Sequence, residues 1–321
     1  MECSVLVCTR NRPEKLKACV AALLEADLGD SCEIVIIDQS DGASELEKHP
    51  ILRYFWLKGR GLARARNQAI ELARGNLLCF TDDDCLVTKD WLQNIQATFR
   101  AHPQADGVFG RVLAYARQDE QVVHHRKKTR YGEATYAEKP GPYFCSALFS
   151  KDEAAIYDQP CLPVANLGSG NNMSFRRSVF DRHGLFITYL GPGGWLRSAD
   201  DTEFHYRLLR ANCQLVYAPD VLVYHDNWID GAQNARLQDD YRIGVVATWF
   251  YYTLKGDRLA RSFLKHRWQG ISNEIQAHHR SQDRAARIKF ALKKRRAFAQ
   301  GLLGGLALYL MSVLRPASLH H

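Results

Sequence analysis

The sequence predicts an α/β fold: a mixed, mainly parallel sheet flanked by helices, with a basic helical extension at its C-terminal end. Three observations carry this. Short apolar runs of strand length alternate with helix-period segments through the first 85 residues, as in parallel βαβ units. Acids stand at the C-terminal ends of successive strand-like runs, the edge where such sheets bind ligands. The charge is divided unevenly, with 27 Lys and Arg against 30 Asp and Glu in residues 1–235, and 16 against 5 in residues 236–321.

The elements follow in order. Cys3 to Cys8 is the first strand, and Thr9-Arg10-Asn11-Arg12-Pro13 ends it. Pro13 suits the first turn of a helix that places Leu16, Cys19, Val20, Leu23 and Leu24 on one face. Glu33-Ile34-Val35-Ile36-Ile37-Asp38 is a second, buried-type strand with an acid at its end, and Gln39-Ser40-Asp41-Gly42 turns the chain. Ile51 to Leu57 reads as a third strand. A helix opened by glycine follows, through Gly61-Leu62-Ala63-Arg64-Ala65-Arg66-Asn67 to Ile70, and feeds the strand Leu77 to Phe80. That strand ends in three successive carboxylates, Asp82, Asp83 and Asp84. Acids gathered in a row repel one another, and oxygen ligands of this kind suit Mg²⁺ or Mn²⁺. A solvated acidic turn is the plain structural alternative.

Residues 117–163, of mixed polarity and with His124-His125-Arg126-Lys127-Lys128, read as a long excursion or lid. Order returns at Gly168-Ser169-Gly170-Asn171-Asn172-Met173-Ser174-Phe175-Arg176-Arg177, where Asn171 and Asn172 are donors and acceptors of the kind that recognise sugar hydroxyls. The glycine-rich stretch Gly191-Pro192-Gly193-Gly194-Trp195 is a loop able to close over substrate with Trp195 stacked on a sugar face. Ser198 is expected to cap a helix that opens with Asp200, Asp201 and Glu203. A carboxylate there is suited to take a proton from an attacking hydroxyl. Gln214 to His225 reads as a bent strand pair ending in a metal- or diphosphate-binding His225.

At 321 residues, 46% hydrophobic and 24% charged, the chain is globular rather than disordered. Its nine Cys have no paired metal-binding spacing, and several lie in strand-like runs, which fits reduced core thiols. Met1-Glu2-Cys3-Ser4 passes straight into the first strand, so no secretory leader is expected.

Taken together, the segments from residue 3 to about 228 resemble the family-2 glycosyltransferases of GT-A fold. The resemblance rests on Thr9-Arg10-Asn11-Arg12-Pro13, Asp38-Gln39-Ser40, Gly61 to Asn67, Asp82-Asp83-Asp84, Gly170 to Arg177 and Ala199-Asp200-Asp201-Thr202-Glu203, in that order. It implies inverting transfer of a sugar from a nucleotide-diphosphate donor (a UDP- or GDP-sugar) to a glycan or lipid-linked acceptor, with a divalent cation, Mn²⁺ or Mg²⁺. It further implies that Thr9, Arg10, Arg12, Asp38, Arg66, Asp82 and Asp83 serve the donor nucleotide. Asp82, Asp84 and His225 would hold the metal, and Asn171, Asn172 and Trp195 would meet the acceptor or sugar. Asp201 would be the base, with Asp200 beside it where the family more often has Glu. One base on the acceptor side gives inversion in a single displacement, unlike a double-displacement glycosidase.

Two domains are expected: a catalytic domain over 1–235 and a basic helical tail over 236–321. In the tail, Arg284, Arg287, Lys289, Lys293, Lys294, Arg295 and Arg296 precede an uncharged run of 18 residues, Ala297 to Leu314. Its length is at the lower limit for a span, and Gln300, Gly301, Gly304 and Gly305 weaken it. A basic segment beside an apolar helix suits an anionic membrane surface. The protein is thus expected in the cytoplasm, peripheral at the inner face of the membrane. Packing on the body or on a second copy is the alternative. No stacking-aromatic pattern points to nucleic acid. A phosphohydrolase with an aspartyl nucleophile would share the Asp82–Asp84 spacing, but needs Thr or Val where Leu86 stands. A membrane-bound protein that binds nucleotide-sugar without turnover is the non-enzymatic alternative.

Overall fold

A computed structural model describes residues 2–115, 141–144, 169–226, 231–278, 284–315 and 319–320. Most of the expected excursion, 117–163, therefore lies outside the described residues.

All seven residues of β1 (Cys3–Thr9) and of β2 (Cys32–Asp38) are buried, which explains their continuous rather than alternating apolar pattern. Helix α1 (Pro13–Glu25) links them, with Leu16, Cys19, Val20 and Leu23 facing inward. Strand β3 (Leu52–Trp56) lies beside β2, and α2 (Leu62–Leu72) returns the chain to β4 (Leu77–Asp82). The order β3-β2-β1-β4 is parallel throughout. Its register sets Thr9 against Asp38 and Cys8 against Asp82, so the acids at the strand ends share one edge.

The sheet then becomes mixed. A short β5 (Cys85–Val87) and α3 (Trp91–Ala101) lead to β6 (Gly107–Ala114), and a four-residue β7 (Gly141–Phe144) lies at the edge. After β8 (Asn172–Arg176) come α4 (Arg177–His183), α5 (Asp200–Arg210) and β9 (Gln214–His225). The nine-stranded sheet has the order β3-β2-β1-β4-β8-β6-β9-β5, with β7 also on β9. Strand β8 is antiparallel to both β4 and β6. The expected bent strand pair over 214–225 is one strand, whose register against β6 shifts between Ala218 and Leu222, around Pro219. Its last residue, His225, stands opposite Cys85.

Two apolar layers cover the faces of the sheet. On one, α1 and α3 pack Leu16, Leu23, Trp91 and Ile95 against Val5, Val7, Ile34 and Ile36. On the other, Phe80, Phe175, Phe180, Phe186 and Phe204 form the centre, and Trp249 and Phe263 of the C-terminal helices join the same layer. Those helices are α6 (Gly231–Leu254), α7 (Arg258–His278) and α8 (Arg284–Leu314). Small residues let α8 close on α6: Gly301 faces Val246 and Gly305 faces the Ala247 carbonyl. The chain end is tied to the body, since the Asn67 amide donates to the His320 carbonyl at 2.8 Å and the Thr188 N–H to the Leu319 carbonyl at 2.8 Å.

Candidate active site

The edge that collects the strand ends opens into a cleft of about 700 Å³. Residues 8–12 after β1, the triplet after β4, Ser169 to Asn171 before β8 and the start of α5 line it, together with His225 and parts of α6 and α7.

The acid triplet divides its work. Asp83 is fully buried, accepts from the Thr9 hydroxyl at 2.6 Å and pairs with Arg12 at 3.0 Å. Burial pushes its carboxyl up to about 7 against the pull of Arg12. Asp84 accepts from Arg12 Nη1 at 2.8 Å and pairs with His225 Nε2 at 3.1 Å. Burial acts against its charge, but His225 and Arg12 outweigh it and hold the carboxyl well below the usual carboxylate range. Asp82 is the most open of the three and reaches Arg66 at 3.3 Å. Asp83 is thus held by Thr9 and Arg12 and Asp84 by Arg12 and His225, while all three acids line the cleft.

Asp84, Cys85 and His225 offer ligand atoms that all lie within 4.8 Å of one another. Carboxylate and imidazole suit Mn²⁺, and the carboxylate suits Mg²⁺ as well; the softer thiol of Cys85 is the odd member. Arg12, half exposed, now balances Asp83 and Asp84, and would have to release Asp84 to admit a cation. The donor set therefore fits a divalent metal at Asp84 and His225. Sequence reasoning did not single out Cys85, although it follows the triplet directly; its neighbour His225 is supplied by strand register.

The second acid pair sits on α5. Residue Ala199, with φ of +72°, precedes this helix in the left-handed region, and no side chain caps it. Ser198 does not cap as expected: its hydroxyl donates to the Asp240 carbonyl at 2.9 Å, because the tight turn aims it at α6. Arg66 crosses the cleft floor between the two acid groups. It donates to Asp200 at 2.7 Å, to Asp82 at 3.3 Å and to the Gly170 carbonyl at 2.9 Å. Burial raises Asp200 to about 6 although Arg66 opposes the shift, and Asp201 adds to it. Asp201 takes the Thr202 N–H at 2.7 Å and the Gly170 N–H at 3.1 Å. Burial works against its ionisation, yet His205, Arg66 and these backbone donors keep it below the ordinary value. Glycine is required at 191, where φ is +82° and a Cβ would stand 2.8 Å from the Asp200 carboxylate.

Other expected site residues fall in different places. Arg10 lines the cleft and donates to the Gln39 carbonyl at 3.2 Å. Asp38 is fully buried, and its carboxylate accepts from the Ser40 N–H, the Ser44 N–H and hydroxyl, and the Tyr54 hydroxyl. It builds the 39–44 loop, and its neighbour Gln39 is the one lining the cleft. Asn171 lines the cleft with its buried side-chain oxygen unpartnered among the described residues. Asn172 instead bridges strands, donating to the Arg111 and Val221 carbonyls and accepting from Trp91. Trp195 is 57% exposed and lies outside the cleft lining, where Pro192, Gly193 and Arg197 stand.

A sequence model of Glycosyl transferase family 2 matches residues 4–184, more than half of the chain and the stretch that carries β1, the acid triplet and Asn171. The protein belongs to this family. Among curated relatives, this family-2 chain is 26% identical over 215 residues to the putative glycosyltransferase EpsH of Bacillus subtilis (strain 168), covering 64% of the chain and 54% of EpsH. It is 27% identical over 205 residues to the glucosyl-dolichyl phosphate glucuronosyltransferase of Haloferax volcanii, covering 60% of the chain and 58% of that protein. The chain thus spans little more than half the length of these two relatives. Its fold is similar to TarS 1–349 of S. aureus, with TM-score 0.55, 16% identity and coverage of 98% of the chain and 85% of TarS 1–349. It is also similar to the mannosyltransferase PcManGT of Pyrobaculum calidifontis in complex with GDP-Man and Mn²⁺, with TM-score 0.52, 17% identity and coverage of 96% and 87%. These two structures support the GT-A-like fold.

Proposed function

We propose that this protein is an inverting glycosyltransferase that moves a sugar from a nucleotide-diphosphate donor to an acceptor hydroxyl in glycan or glycolipid synthesis. The observation that carries the reading is the pair of acid groups on one cleft, Asp82–Asp84 with His225 and Asp200–Asp201, linked by the buried Arg66. The neighbouring complexes with UDP and with GDP-Man and Mn²⁺ support a UDP- or GDP-sugar as donor.

A divalent cation held by Asp84 and His225, Mn²⁺ or Mg²⁺, would neutralise the charge of a diphosphate leaving group. Arg66 sits beside Asp82, where its guanidinium adds fixed positive charge near the same group. Asp201 is the base. Its depressed proton affinity keeps it ionised at neutral pH, and the Gly170 and Thr202 N–H groups orient it. As the acceptor oxygen forms its bond to the anomeric carbon, Asp201 takes its proton and the bond to the diphosphate breaks. Asp200, ion-paired to Arg66, positions that guanidinium. Asp38 shapes the loop presenting Gln39, and Asn171 offers its free oxygen to a sugar hydroxyl.

The test is calorimetric titration of nucleoside diphosphates with and without Mn²⁺, followed by turnover with the matching sugars. Asp84→Ala should lose metal-dependent nucleotide binding. Asp201→Asn should keep that binding and lose at least about 100-fold in transfer, the range a general base supplies. Unchanged metal-dependent affinity in Asp84→Ala would sink the metal assignment.

We further propose residues 1–235 as the catalytic unit and 236–321 as a helical region that completes the cleft and meets an anionic membrane surface, at the inner face of the membrane. Helix α8 is long and apolar enough to cross a membrane, with mean hydropathy 1.7 over an 18-residue stretch. One face of it is buried against α6, though, leaving an outward stripe of Leu303, Leu306, Leu310, Val313 and Leu314. The exposed Arg295 and Arg296 continue that stripe, which suits a helix lying in the interface of an anionic leaflet. Leu306→Gln with Leu310→Gln should reduce sedimentation with vesicles of anionic lipid and leave nucleotide binding unchanged. Equal sedimentation, or a dimer that the substitutions dissolve, would refute membrane docking by this face.

A further inference from the structure

Beyond Asp201 the cleft runs on between α5 and the hairpin of α6 and α7, where Thr202, His205, Val245, Trp249 and Arg267 line it. Two polar groups there are spare. The indole N–H of Trp249 is buried, with the residue only 1% exposed, and finds no acceptor among the described residues. Arg267 likewise has a buried Nε–H without a partner. An unsatisfied buried donor costs about 1–3 kcal/mol, so two on one wall of a cleft call for an acceptor from outside.

The donors are held in place. Trp249 is fixed edge-on between the rings of Tyr206 and Phe263, at 4.9 and 4.8 Å, and cannot turn its N–H away without breaking both contacts. Arg267 lies one helical turn beyond Phe263 on α7, so it borders the same wall. Charge points the same way. Arg66 is neutralised by Asp200 and Arg197 by Asp240, whereas Arg267 lines the cleft with no ion pair among the described residues. This end of the cleft therefore presents donors and uncompensated positive charge.

We propose that Trp249 and Arg267 form an anion subsite for a phosphate ester on the acceptor, so that the hydroxyl attacked is carried by a phosphorylated molecule. This rests on the glycosyltransferase reading, since it makes the subsite the acceptor's. A phosphate ester has several oxygens that accept from different directions, and guanidinium and indole donors together satisfy them. The ester's source is either a water-soluble sugar or polyol phosphate or a lipid-borne phosphate, and the subsite recognises what they share.

The test uses the full chain, ¹⁵N-labelled at tryptophan, with its donor site saturated by nucleoside diphosphate and Mn²⁺. The indole N–H signal of Trp249 is assigned with Trp249→Phe. Glycerol 3-phosphate is titrated in one arm and vesicles of neutral lipid containing a polyprenyl phosphate in the other, with glycerol and plain neutral vesicles as controls. A saturable shift of the Trp249 signal by a phosphate-bearing probe, weakened at least about tenfold in Arg267→Gln and unchanged in Arg236→Gln at the far end of α6, is the expected result. The arm that binds more tightly identifies the source. No shift from either probe, an equal shift from glycerol, an undiminished shift in Arg267→Gln, or an equal weakening in Arg236→Gln overturns the proposal. Where Arg267→Gln fails to fold, the parent chain still decides, because a phosphate at this subsite must shift the Trp249 signal and the glycerol and plain-vesicle controls must not. Failure of nucleoside diphosphate to bind would instead refute the transferase reading, and the Trp249 signal would still report the subsite.

Discussion

Arg66 shows how far a single residue can organise this molecule. It is buried between two acids that belong to opposite sides of the cleft, and its third contact, to the Gly170 carbonyl, ties the loop before β8 to the same point. Burial disfavours its charge, but Asp200, Asp82 and Asp201 more than compensate and drive its guanidinium to bind its proton more tightly than usual. Removing that charge leaves Asp200 buried and uncompensated, a situation that costs about 3–5 kcal/mol. Arg66→Met should therefore lower unfolding free energy in urea by that amount, and a loss under about 1 kcal/mol would show that the pair carries little. Arg66→Lys keeps the charge but cannot reach three acceptors at once, and should fall between the two. The acid pair on α5 is distinguished by the same logic. Asp200 is locked onto Arg66, which supports the proposal that Asp201 takes the acceptor proton.

At the scale of elements, the edge of the sheet contains a second ionic device with no part in the cleft. Glu33 of β2 is buried, and accepts from the Ser4 hydroxyl of β1 at 2.7 Å, from Arg53 of β3 at 2.6 Å and from the Arg74 N–H at 2.5 Å. Arg53 in turn donates to the Leu72 carbonyl at the end of α2, so three strands and a helix meet at one carboxylate. Burial raises its proton affinity, but the donors from Ser4, Arg53 and Arg74 prevail and the carboxyl titrates lower than usual. With the folded value below the unfolded value of about 4.3, the folded state binds fewer protons than the unfolded one in that window. The stabilisation is complete above about pH 5 and is lost as pH falls through the unfolded value towards the folded one. Glu33→Gln should cost about 1–3 kcal/mol at pH 7, with the difference from the parent shrinking towards pH 3. A difference independent of pH would mean that packing, not charge, is what Glu33 supplies.

On the scale of the whole molecule, the C-terminal helices share their core with the α/β body. Trp249 and Phe263 share a core with Phe80 and Phe175. Leu319 packs with Ile187, Leu190 and Leu196 beside the glycine-rich loop. Deleting residues 297–321 would bare Val246, Ala247 and Leu196 and take away the His320 carbonyl that Asn67 uses. The shortened protein should unfold at a lower temperature and lose cooperativity in the loop around 191. An unchanged melting curve would show α8 to be an independent appendage. For membrane work, substitutions on the outer stripe of α8 are therefore the cleaner probe.

The continuous apolar runs of β1, β2 and β4 and the Pro-started α1 were legible because burial on both faces of a parallel sheet leaves its mark residue by residue. Helix α3 carries the same kind of signal in Trp91, Leu92, Ile95 and Phe99, one apolar face at helical spacing. The acids, too, were visible in the chain, as were the glycines near them. What sequence could not reveal is which way equivalent neighbours point. Asn171 faces the cleft and Asn172 the strands; Asp38 turns into its own loop; Arg66 holds Asp200 by a direct hydrogen bond, while Asp201 accepts from backbone N–H groups. The meeting of Cys85 with His225 and of Trp249 with Arg267 likewise depends on strand register and helix pairing between distant segments. Sequence by itself determined the family, the sheet and the strand-end acids, because local periodicity and burial set those. Tertiary structure alone decided the role of each polar side chain, because a donor or carboxylate acts according to the partners that packing leaves it.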